Sequence, residues 1–91
     1  MQNRYQQVKE IKEQTDFLLI QLSEGDYLSL DTYANNVAHL AMAFEKLRLY
    51  IDDVLFLAWL REKDAVLVSE IAVTGRTLMV LQNFFRLAQQ Q

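Results

Sequence analysis

Apolar residues recur along this chain at three- and four-residue intervals, the spacing that lines one face of an α-helix. In the N-terminal part Val8, Ile11, Thr15, Leu18 and Leu22 keep that rhythm and predict a helix over about 3–23. Ser23-Glu24-Gly25-Asp26 interrupts it, with Gly25 expected at the C′ position in a left-handed backbone conformation. Ser29 or Asp31 is the expected N-cap of the next segment, since either side chain accepts amide hydrogens left free in a first turn. Tyr33, Val37, Leu40, Phe44, Leu47, Ile51, Val54 and Ala58 then alternate by four and three, with no glycine or proline between them. The unbroken phase predicts one continuous helix over about 30–62, roughly 48 Å long. The alternative is a separate short helix starting at Asp52-Asp53, because aspartate favours caps over helix interiors.

A third stripe comprises Leu67, Ile71, Thr74, Leu78, Leu81, Phe85 and Ala88, in a phase shifted from the second. The chain must therefore break within Arg61-Glu62-Lys63-Asp64, with Asp64 as N-cap of a helix over about 65–89. The terminal glutamines (Gln2, Gln6, Gln7; Gln89 to Gln91) read as frayed ends. The expected fold is all-α: one domain over 1–91, a three-helix antiparallel bundle with a long central helix.

More positions are apolar than these stripes need. Met42, Leu49 and Phe56 recur every seven residues, on the side of the central helix away from Phe44, Ile51 and Val54. Glu45, Lys46, Asp52 and Asp53 flank that seam as a charged rim. Leu55, Phe56, Leu57, Trp59 and Leu60 make the end of the same helix apolar almost all round. On the last helix Val66, Val73, Val80 and Leu87 form another seven-residue series beside Met79 and Phe84. A continuous central helix of this length would also outrun a compact domain of this size, about 30 Å across, and leave Val54 to Leu60 uncovered.

Large exposed apolar patches mark interfaces, and a second copy of the chain is the simplest cover. A homo-oligomer, a dimer first, is therefore expected to complete the bundle. Met42, Leu49, Phe56, Trp59, Leu60, Val66, Val73 and Val80 are its expected contacts, with Glu45, Lys46, Asp52 and Asp53 as rim. The competing assignment makes both seams internal core. Replacing Leu49 and Phe56 together by Glu separates the two: dissociation with helicity retained in the first case, unfolding in the second.

Composition narrows the function classes. The 91 residues are 52% hydrophobic and 23% charged, with no proline or cysteine and only Gly25 and Gly75 as glycines. That excludes a disulfide scaffold, a thiolate metal site and a disordered chain, and argues against an all-β domain. Nine Lys/Arg against twelve Asp/Glu give a formal charge of −3. The basic residues are scattered from Arg4 to Arg86, so no nucleic-acid partner is expected. Uninterrupted apolar runs such as Phe17 to Ile20 and Val54 to Leu60 fall short of the ~20 residues of a membrane span. Met-Gln-Asn-Arg-Tyr at the start carries no apolar leader. No membrane partner and a cytoplasmic location are the expectations.

Candidate chemistry is sparse. His39 is the sole histidine, and no Glu-x-x-His or second ligand accompanies it, so no metal or other cofactor is expected. Glu24, Asp26 and Asp31 lack EF-hand spacing and suit capping. Asp52 and Asp53, adjacent on a helix, point about 100° apart and form no converging acid–base pair, while Arg48 stands four residues before Asp52 and can pair with it. Ser23, Ser29 and Ser69 have no triad partners, and no glycine-rich phosphate loop exists. Gly75 costs the last helix about 1 kcal/mol relative to alanine, and is either neutral or admits a close helix approach. The expected function is non-enzymatic: a small protein–protein interaction module, of the adaptor, chaperone or regulator kind, acting as a homo-oligomer through apolar helix faces. The alternative is a bundle that binds a small apolar ligand in a pocket of Phe56, Trp59, Met79 and Phe84.

Overall fold

Four helices carry the chain rather than three: α1 (Gln2–Glu24), α2 (Leu30–Ile51), α3 (Val54–Lys63) and α4 (Ala65–Gln89). The computed structural model describes residues 1–25 and 29–89, without the side chains of Leu30, Ala88 and Gln89. Asp26 of the acidic loop, Gln90 and Gln91 of the glutamine-rich end, and the side chain of Ala88 thus lie outside the described residues. No strand occurs among those described.

Two of the expected starts are in place. The Ser29 hydroxyl accepts from the Thr32 amide at 3.2 Å and opens α2. The Asp64 carboxylate accepts from the Leu67 amide at 3.1 Å and opens α4. Gly25 departs from expectation: its φ of −67° and ψ of 140° are extended, so α1 ends without a left-handed turn.

The larger correction is at Asp52-Asp53, where the expected continuous helix is broken. The Asp53 carboxylate accepts from the Phe56 amide at 3.2 Å and caps a new helix. Asp53 itself, at φ −79° and ψ 105°, has left the helical region. The central helix therefore shortens to 22 residues, roughly 33 Å. The break also changes which residues of α3 face inward. Val54 and Ala58, assigned to the core stripe, are exposed, whereas Phe56 and Leu60 are fully buried.

The core has two centres. At the α3 end Val8, Leu47, Phe56, Leu60, Leu67 and Ile71 cluster. At the opposite end Leu22, Val37, Leu40 and Leu78 do so. The stripes of α1, α2 up to Ile51, and α4 are thus placed as their periodicity predicts. Thr15 and Thr74 fit among the apolar residues because each hydroxyl donates within its own helix, to the carbonyls of Lys12 and Glu70. The α1–α2 pair makes the most extensive contact, and α4 packs chiefly on α2 and α3. The result is elongated, 44 × 21 × 18 Å, with a radius of gyration of 14.5 Å against about 12 Å for an average compact domain of this length.

Gly75 has a packing reason. A Cβ there would lie 2.8 Å from the tip of the Phe44 ring, closer than carbon atoms approach without displacement. Gly75→Ala is expected to leave the unfolding free energy from urea denaturation unchanged or lower it by up to about 2 kcal/mol. The ~1 kcal/mol gain in helix propensity opposes the cost of moving the ring. A gain of the full propensity value would show that Phe44 yields freely.

Candidate interaction surface and the α3 clamp

α4 buries one face and leaves another bare. Val66, Val73 and Val80 are 67%, 52% and 66% exposed, and Met79, Phe84 and Leu87 are exposed as well. Val66 and Val73 share a shallow depression with Leu19 of α1, at whose edge stand Lys12, Asp16 and Glu70. The Lys12 side chain is 8% exposed, and its ammonium meets Asp16 at 2.5 Å and Glu70 at 3.8 Å. A nearly buried cation requires such partners, and this one ties α1 to α4.

On α2, Met42 and Leu49 are 66% and 79% exposed, as expected of an outward seam. The third member is not part of it. Phe56 and Leu60, expected as interface contacts, lie inside the monomer core, because the cap at Asp53 turns α3 inward. Trp59 is half-buried, stacked on Phe56 with ring centroids 5.9 Å apart and edge-on to Tyr5 at 5.9 Å. Glu45, Lys46 and Asp52 are exposed. Asp53 serves instead as cap and ion-pair partner of Arg4, at 2.7 Å. Arg48 contacts Glu45 at 3.3 Å, and the expected Arg48–Asp52 pair is not made.

The ligand-pocket quartet is dispersed. Phe56 and Trp59 lie at the α3 end, Met79 lines a groove between α2 and α4, and Phe84 meets Tyr33 edge-on at 6.0 Å. Tyr33 opens α2 and Phe84 closes α4, so this pair sits at the other end of the bundle. His39 lies with Lys46, Met42 and Gln14 in a shallow hollow. Among the described residues no group of three or more His, Cys, Asp or Glu side chains is arranged to hold a metal ion.

Both ends of α3 are gripped by consecutive residues of α1. Arg4 binds the N-cap Asp53, and its guanidinium lies 5.7 Å from the centre of the Phe56 ring. The Tyr5 hydroxyl donates to Asp64 at 2.7 Å, at the junction of α3 and α4. Tyr50 adds a bond from its hydroxyl to Gln7 at 2.5 Å. None of these roles is legible in the sequence. The Arg4 and Tyr5 bonds span 49 and 59 residues, which no local periodicity encodes. Lys12 does leave a signal, since Val8, Lys12, Thr15, Leu19 and Leu22 form a second helical row.

These bonds set the pH response. The Arg4 guanidinium first, then the Phe56 amide, holds the Asp53 carboxyl below its ordinary value. The Tyr5 hydroxyl first, then the Leu67 amide, does the same for Asp64. Tyr5 is raised, first by its bond to Asp64, then by burial and by the Asp64 charge. A lowered carboxyl contributes stability that is full above its unfolded value near ~4 and is lost as pH falls through the folded value. A raised tyrosine contributes below ~10 and loses it as pH rises through the folded value. Tyr5→Phe is therefore expected to lower stability most near neutrality, with the gap to wild type closing in acid and in strong base. Urea midpoints by circular dichroism across pH measure this. A gap that stays constant would show that the Tyr5–Asp64 bond contributes nothing.

Comparison with known protein families, with curated proteins and with solved structures returns no match for this chain. α4 also corrects the reading of apolar runs. Within Ala65–Leu87 an 18-residue window reaches a mean hydropathy of 1.3, and the segment is long and apolar enough to cross a membrane by length and composition. Counting uninterrupted runs misses it, because Glu70 and Arg76 divide it without lowering the average far.

Proposed function

We propose that this chain is a non-enzymatic helical interaction module that pairs with a second copy of itself through the outer face of α4. The observation that carries the reading is the row Val66, Val73 and Val80, each more than half exposed. β-Branched apolar side chains one heptad apart share one face of the helix, the spacing at which a position meets its equivalent across a two-helix seam, with Glu70 and Arg76 between them as polar flanks. A standard interface takes about 800 Å² from each partner, roughly an eighth of this chain's 6360 Å².

A lipid environment is the competing cover for so apolar a helix. Arg76 weighs against it, standing at the midpoint of Ala65–Leu87, where a guanidinium costs about 2.5–3.5 kcal/mol to insert. The tie from Lys12 to Glu70 likewise commits α4 to the bundle. Met42 and Leu49 supply a smaller second patch on α2, suited to a different protein partner. Adaptor, chaperone and regulator roles all fit such a module, and a cytoplasmic setting belongs to the same proposal.

Light scattering of the purified protein tests the reading. The expected result at micromolar concentration is a mass twice the 10.7 kDa of one chain. A monomer persisting to high micromolar concentration would overturn it.

A further inference from the structure

A second apolar feature lies on another face from the α4 ridge and has a different character. Between α2 and α4 runs a groove of about 620 Å³, within the ~300–1,000 Å³ common to small-molecule sites. Phe44, Ile71 and Leu78 line it, and Gly75 opens its wall by leaving the Phe44 ring nothing to displace. Leu57 and Arg61 of α3 bound it on a third side.

Its charged residues are unequal in sign. Arg48, Arg61 and Arg76 face the acids Glu45 and Asp52, in a chain whose overall charge is negative. Arg48 is taken by Glu45. Among the described residues no carboxylate lies within ion-pair distance of Arg61 or Arg76. The α1–α4 depression offers a contrast, since its one cation, Lys12, is already held by two acids.

We propose that the α2–α4 groove binds a single-chain anionic amphiphile, an alkyl carboxylate, with the chain along Phe44 and Leu78. Its head group is met by a free guanidinium at the lip. Apolar walls favour an alkyl chain. Arginine presents a donor fork that matches a carboxylate, and beside a low-dielectric wall that attraction is screened less than in water. A neutral alkyl chain would leave both guanidiniums unanswered, and an alkylammonium would be repelled.

The test is calorimetric titration of the full chain with laurate, below its micelle concentration, beside dodecanol and dodecyltrimethylammonium. Saturable one-to-one binding of laurate is expected, with dodecanol weaker by about tenfold or more, the ratio one charged hydrogen bond supplies. Arg61→Gln with Arg76→Gln should erase that preference while leaving helical circular dichroism unchanged. Gly75→Leu, which fills the groove, should abolish binding of both. Equal affinity for laurate and dodecanol, or a preference that survives the double variant, overturns the proposal. So does protection of Phe44 and Met79 from hydrogen exchange that grows with protein concentration and excludes laurate, since a second copy would then occupy the groove. Val73→Glu with Val80→Glu, which disrupts the α4 ridge, should bind laurate as wild type does, so failure of the dimer and failure of this site are read separately.

Discussion

Phe56→Ala loses about a third or more of the molecule's stability while the native state stays the major one: that is the expected result of removing the largest fully buried side chain. The ring stacks on Trp59, is tilted 57° to Tyr50 at 6.1 Å, and lies beneath the Arg4 guanidinium. Truncation leaves a cavity that all four helices border through Val8, Leu47, Leu60 and Leu67. Such changes cost about 3–5 kcal/mol, against a total stability of roughly 5–14 kcal/mol for a domain of this length. Leu49→Ala is the matched control. Its side chain is 79% exposed, so the change should stay within about 0.5 kcal/mol. Urea denaturation followed by circular dichroism compares the two. Equal effects would mean that Phe56 does not occupy the core. The paired replacement of Leu49 and Phe56 by Glu is likewise expected to unfold the protein, and Phe56 alone should account for it.

Val73→Glu with Val80→Glu should give a folded monomer. Both positions are more than half exposed within one chain, and glutamate forms helix better than valine. Within the monomer the like charges of Asp16 and Glu70 beside position 73 oppose the substitutions by only roughly a few tenths of a kcal/mol. At a dimer interface the same two carboxylates would have to be stripped of water without partners, a cost of several kcal/mol for each ion. Sedimentation equilibrium should show one-chain mass with an unchanged circular dichroism spectrum. Wild-type association should also respond little to moderate salt, since apolar area and not screened charge supplies it. A dimer that survives both glutamates would remove the α4 ridge as the contact.

How far the sequence reaches depends on which contacts are local. The stripes of α1, α2 and α4 are legible because each is written on one helix, and Thr15 and Thr74 remain legible within them because their hydroxyls bond to the turn below. Ser29 and Asp64 are legible as caps because their acceptor groups lie three residues from the amides they satisfy. The break at Asp52-Asp53 is visible only as an alternative. The four-three phase runs unbroken through it, so periodicity continues the helix while cap chemistry ends it. The contact that secures the second outcome comes from Arg4, 49 residues away, beyond any local window. The error then propagates: a helix without the break puts Phe56 and Leu60 outside, and the interface drawn through them goes with it. Gly25 fails for a simpler reason, since glycine permits a left-handed turn but does not require one.

The grip of Arg4 and Tyr5 on α3 also bears on how the molecule closes and opens. α1 and α2 meet across a short connection, and that hairpin is inexpensive to form in chain entropy. Seating α3 requires the first turn of the chain to find residues 53 and 64, loops an order of magnitude longer than the connection between α1 and α2. The α3 corner is therefore seated on the α1–α2 hairpin, and releasing it is an opening of the core rather than fraying at an edge. Because Phe56 and Leu60 leave the core with it, each such opening bares an apolar surface that the closed molecule hides.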